Sequence, residues 1–186
     1  MKSVKVLPEG YSESISIDLQ KNKKQLITVN AICVLITVAM LVAAVILRGF
    51  SGITPDDLAF AAIITAVGCF VYLILHELTH GLFMIIFGCR WPHYGFSGLY
   101  AFAGADFYFS KWHYVIIALA PVVLLGGVLA VLNVVLPPLW FYPVYFIQVM
   151  NVSGAAGDLY VTARLLKAPR DILVYDTGTA MRVYSK

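Results

Sequence analysis

The chain has 186 residues, 61% of them hydrophobic and only 12% charged, with a mean hydropathy of +0.86 and a formal net charge of +3. That balance excludes an ordinary soluble globular domain and predicts a single membrane-embedded domain over residues 1–186. The basic residues lie at the termini and loop edges without an aromatic-interleaved patch, which excludes a nucleic-acid surface.

Residues 1–25 lack the charged-then-apolar layout of a cleavable signal peptide, so the first hydrophobic span is expected to remain as an anchor. Within them Ser14-Ile15-Ser16-Ile17-Asp18-Leu19 alternates polar and apolar residues, a strand pattern. Four apolar runs follow near 26–47, 58–87, 114–136 and 139–166, each long enough to cross a hydrocarbon core of about 30 Å. In the tail, 167–186, the stretches Ile172 to Tyr175 and Ala180 to Tyr184 flank a turn and read as a hairpin. The predicted fold class is all-α polytopic, with about four transmembrane helices, a short β-hairpin or re-entrant segment after the second, and small cytoplasmic β elements at the termini.

Loop charge predicts the orientation. Lys2, Lys5, Lys21, Lys23 and Lys24 precede the first span, Arg90 and Lys111 separate the second from the third, and Arg164, Lys167, Arg170, Arg182 and Lys186 close the chain. By the positive-inside rule these three regions face the cytoplasm, with both termini inside. The segment from Gly88 to His113 is rich in glycine and aromatic residues and too interrupted to span. It reads either as an interfacial loop anchored by its aromatics or as a hairpin or re-entrant strand whose open edge holds an extended substrate. Cys33, Cys69 and Cys89 have no paired metal spacing and receive no role.

The chemistry enters at His76-Glu77-Leu78-Thr79-His80, an H-E-x-x-H motif inside the second span. With four histidines and three glutamates in 186 residues, chance produces this pattern about once in a thousand such chains. On a helix the two histidines share one face and can bind one metal ion, with the glutamate beside its water. Ionisable groups at that depth are disfavoured by roughly 2.5 to 3.5 kcal/mol each, and a divalent cation compensates the cluster.

Catalytic zinc takes three protein ligands, so a third is required. Among the spans the only acids are Glu77 and Asp158, and Asp158 has no cation three or four residues away. Counted from the cytoplasmic ends of their spans, His76, His80 and Asp158 all fall roughly 12 to 18 Å deep. Asp106 is the rival ligand if its loop folds back into the bilayer. Ser153-Gly154-Ala155-Ala156-Gly157, just before Asp158, is expected to bring the fourth span close to the second. Asn151, two turns earlier, is either a donor to substrate or oxyanion or a partner in an interhelical amide bond, and Asn133 is expected to be the latter. His93 and His113 are expected to be interfacial or structural.

These residues resemble the site-2 protease class of intramembrane zinc metalloproteases. More closely, His76 to Gly81 together with Ser153 to Asp158, and Ala120-Pro121 in the third span, resemble a family of small bacterial membrane proteins described only as zincin peptidases. The resemblance implies zinc held by His76, His80 and Asp158, Glu77 as the base, and cleavage of a membrane-embedded or membrane-proximal protein substrate in a bacterial cell membrane. The chain departs from the site-2 pattern in having no proline between Asn151 and Asp158, a spacing one residue shorter, and Leu159 where a glycine is usual. The competing expectation is an inactive zinc-binding adaptor, or a metal carrier or sensor. Neither needs a base at Glu77.

Overall fold

The computed structural model describes residues 2–49, 54–98 and 100–186. In chain order it contains β1 (Ser12–Ile17), α1 (Lys23–Arg48), α2 (Pro55–Ile86), β2 (His93–Phe96), β3 (Ala101–Ser110), α3 (Lys111–Val135), a 3-10 turn (Pro138–Trp140), α4 (Phe141–Gly154), α5 (Ala156–Lys167), β4 (Leu173–Asp176) and β5 (Met181–Ser185). Among the described residues three helices, α1, α2 and α3, are long and apolar enough to cross a membrane. Val34, Leu35 and Ile46 on α1, Ile63 and Phe70 on α2, and Val134 on α3 are exposed, a surface that suits lipid and not water.

Local chemistry fixes the helix ends. The Asn22 side chain accepts from the backbone of Lys24 and Gln25 and starts α1, and Gly49, at a positive φ of 61°, closes it. Thr54 and Asp57 form a capping box around Pro55 at the start of α2. At 32 residues α2 is about 48 Å long, more than a hydrocarbon core requires, so its C-terminal turns reach toward the sheet.

Two expectations are corrected. The fold is not all-α: the β elements join into one five-stranded antiparallel sheet of order β1-β5-β4-β3-β2. The segment after α2 is its β2–β3 hairpin, and the tail supplies β4 and β5. The fourth span is also not continuous. It breaks at Ala155 into α4, about 21 Å long and too short to cross alone, and α5. The break falls in the small-residue run, whose glycines 154 and 157 are weak helix formers.

The sheet puts the N-terminal segment, the post-α2 segment and the tail on the same side of the helices. Lys111, at the start of α3, strengthens that junction: its ammonium donates to the carbonyls of Leu166 (3.1 Å) and Ala168 (2.7 Å). A buried cation there satisfies the orphan C-terminal carbonyls of α5 and opposes its dipole.

Two cores result. One, around Phe109, Ile117, Leu165, Val174 and Val183, seals the sheet onto α3 and α5. The other, around Tyr72, Leu129, Val144 and Ile147, joins α2, α3 and α4. The close approach of α4 to α2 occurs at Gly68, where a Cβ would collide with Ile147, and not at the small-residue run. Gly154 and Gly157 face a cavity instead.

Candidate metal centre

Tyr72, His76, His80 and Met84 recur every four residues and form the buried stripe of α2. Met84 belongs to the sheet-side core and Tyr72 to the helix-side core, so the two histidines lie at the seam between them. Asp158 reaches the same point from the first turn of α5, where the positive end of the helix dipole favours its carboxylate. The backbone break at Ala155 lies three residues before it.

The three side chains form the one group of potential metal ligands among the described residues, their donor atoms all within 4.8 Å of one another. Nε2 of His76 is 3.1 Å from Nε2 of His80, 3.3 Å from one Asp158 oxygen, and Nε2 of His80 is 3.6 Å from the other. A tetrahedral zinc with bonds of about 2.0–2.1 Å sets its donors about 3.3 Å apart along each edge. The donor set fits that ion.

The tautomers can be followed from groups that only accept. The Val122 carbonyl receives the Asn151 amide nitrogen at 3.2 Å, so the Asn151 oxygen faces Tyr72 and accepts its hydroxyl at 3.0 Å. Tyr72, having donated, accepts from Nδ1–H of His76 at 2.6 Å. Nδ1–H of His80 donates to the Ile117 carbonyl at 2.9 Å. Each ring, bonded through Nδ1 on its far side, turns Nε2 toward the other ring and toward a carboxylate, a position in which a neutral imidazole offers its lone pair to a cation.

Asn151 is fully buried, its nitrogen also within 3.5 Å of Gln148 Oε1. Of the two alternatives open for it, the structure displays the amide bond between helices, and Gly126 makes room for it on α3. Tyr72 was not picked out from the sequence. Its signal is its position, one turn before His76 on the same face.

The other candidates lie elsewhere. Asp106 accepts from the Tyr175 hydroxyl at 2.7 Å, in an irregular stretch of β3. That bond raises the Tyr175 phenol to about 12. His93 lies 3.3 Å from the Thr177 carbonyl. His113 pairs with Ser3 at 2.7 Å and stacks on Phe87. Asn133 bonds its own helix at Leu129 rather than a neighbour.

His76, Glu77, His80 and Asp158 open onto a cavity of about 470 Å³. Its walls come from α2, α5, the start of β3 and the β4–β5 turn, and also from α1 through Leu26, Val29 and Asn30. Asp176 stands in this wall, accepting from the Tyr114 hydroxyl and, at 2.7 Å, from the Gly178 backbone N–H. Burial nevertheless pushes its carboxyl above the ordinary range.

Fold and site together define a membrane-protein class: apolar helices that carry an H-E-x-x-H metal-ligand cluster beneath a small sheet. The chain belongs to the family described as "Putative zincin peptidase", whose profile matches residues 69–173, more than half its length. That stretch runs from α2 to the first residue of β4 and contains all three candidate ligands. No curated protein and no solved structure matches the chain.

Proposed function

We propose that the protein is a zinc-dependent endopeptidase that hydrolyses peptide bonds of membrane-embedded or membrane-proximal protein substrates, with His76, His80 and Asp158 as the metal ligands. The observation that carries this reading is the convergence of two imidazole Nε2 atoms and one carboxylate at tetrahedral spacing. Zinc bound there supplies Lewis acidity for the scissile carbonyl and brings the pKa of water to about 7.

Glu77, next to His76 on the cavity wall, takes the proton of the attacking water and delivers it to the leaving amine. Asn151 acts through Tyr72, holding the His76 ring by its Nδ1–H. Gly154 and Gly157 leave the cavity open beside Asp158.

An extended substrate is read along the free edge of β2, whose outer side has no sheet partner among the described residues. Tyr94 of β2 packs on Gly81, one residue beyond His80, so a segment paired there runs beside the metal helix. We place both termini on the cytoplasmic side of the membrane, which the family resemblance implies is a bacterial cell membrane. The support is charge: the three basic regions share the sheet's side of the helices.

The test has two parts. Purified wild type and Glu77→Gln are each expected to hold one zinc, whereas His80→Ala and Asp158→Ala hold none. Membrane proteomes of cells carrying wild type or Glu77→Gln are then compared, and uncleaved substrates are expected to accumulate with the variant. Continued cleavage by Glu77→Gln would remove Glu77 as the base, and zinc uptake without any change in the membrane proteome would favour the adaptor or carrier.

A further inference from the structure

A proline stands inside α3, at position 121, where a helix ordinarily has no use for one. Having no N–H, it cannot bond the carbonyl four residues back, and its ring presses that carbonyl off the helix axis. The residue four back is Ile117. The Ile117 carbonyl is the group that accepts Nδ1–H of His80 across the α2–α3 contact, at 2.9 Å.

Both residues are buried, so the oxygen has no water to turn to and needs a partner from the protein. We infer that Pro121 is a positioning residue of the metal centre: it withdraws the helix's own donor from Ile117 and reserves that oxygen for His80. The reserved carbonyl keeps His80 in the Nδ1–H tautomer and turns the Nε2 lone pair toward Nε2 of His76 and the Asp158 carboxylate.

A helix carbonyl with an intact helical donor can take a second bond at its flank, as Val122 does from Asn151. At Ile117 the i+4 donor is missing and the imidazole bonds the oxygen in its place. The two histidines are thus oriented by unlike devices, one a side-chain chain through Tyr72 and Asn151, the other a missing backbone proton.

The inference rests on the zinc reading above, and its test separates the two. Full-length protein in detergent is titrated with zinc against a competing chelator, as wild type, as Pro121→Ala, and with lactic acid incorporated at position 121. The last is a backbone ester that carries the methyl of alanine without an N–H. Pro121→Ala, which restores the helical donor, is expected to bind zinc about 10- to 100-fold more weakly, while the ester stays within about threefold of wild type.

Equal affinity in Pro121→Ala overturns the inference, as does an ester as weak as the alanine variant, which would assign the effect to the ring. Nitrogen-15 NMR of metal-free protein gives a readout independent of zinc. The His80 Nδ1–H signal is expected in wild type and ester and is expected to be lost or mixed in Pro121→Ala. If wild type takes up no zinc, the metal reading fails alone, and persistence of that signal in Pro121→Ala still overturns the role given to Pro121.

Discussion

Nε2 of His76 lies 3.1 Å from Nε2 of His80, and each ring bonds a protein group through Nδ1 on its far side. Two neutral imidazoles at that distance, buried beside a carboxylate, are stabilised by a cation that joins them.

Metal removal is therefore expected to destabilise the protein. A chelator lowers the Tm in detergent, and zinc at 100 times its Kd restores about 2.7 kcal/mol. Asp158→Ala is expected to show little response to either. Scanning fluorimetry with and without zinc checks this, and an unchanged wild-type Tm would contradict it.

Tyr72 and Asn151 are expected to act as one unit on His76. Tyr72→Phe removes the acceptor of Nδ1–H and weakens zinc binding about 10- to 100-fold. Asn151→Ala weakens it by acting through Tyr72, so the double variant binds no more weakly than Tyr72→Phe alone. A double-mutant cycle in zinc affinity measures this coupling, and additive losses would show that the residues act separately.

The contact of α4 with α2 is expected to be intolerant of volume at residue 68. A Cβ at Gly68 overlaps Ile147, so Gly68→Val costs about 1–3 kcal/mol of stability. Adding Ile147→Ala empties the space and recovers part of the loss. Thermal unfolding of the two variants decides it.

Asp176 is expected to make stability depend on pH. Its folded carboxyl titrates above the unfolded value of about 3.9, because burial outweighs the bonds from Tyr114 and Gly178. Ionisation then favours the unfolded chain: the penalty is absent in acid, grows as pH rises past the unfolded value, and is complete above the folded one. Asp176→Asn removes the penalty, so its Tm relative to wild type is expected to rise between about pH 4 and neutrality. A Tm difference that stays flat over that range would refute the assignment.

Much of the centre could be read from spacing alone. Histidines four apart on an apolar helix must share a face, and Asp158 stood out as an acid without a local cation. The hairpin at β4–β5 was signalled by turn residues between two strand-like stretches, whereas the glycine- and aromatic-rich segment that forms β2–β3 read equally as an interfacial loop. The break at Ala155 was not, because Ser153 to Gly157 reads equally as a close-packed helix face and nothing in it compels a stop. The contribution of α1 to the cavity depends on tertiary packing that its uniform apolar sequence cannot encode. Nor could the sheet be assembled from local pattern, since Ser12 pairs with Ser185.

That last pairing bears on how the protein is made. As the ribosome delivers the chain, β1 emerges first yet finds its neighbour in β5, whose residues are translated after those of every helix. The roof over the cavity closes last, so the chamber is completed only once synthesis has passed residue 181.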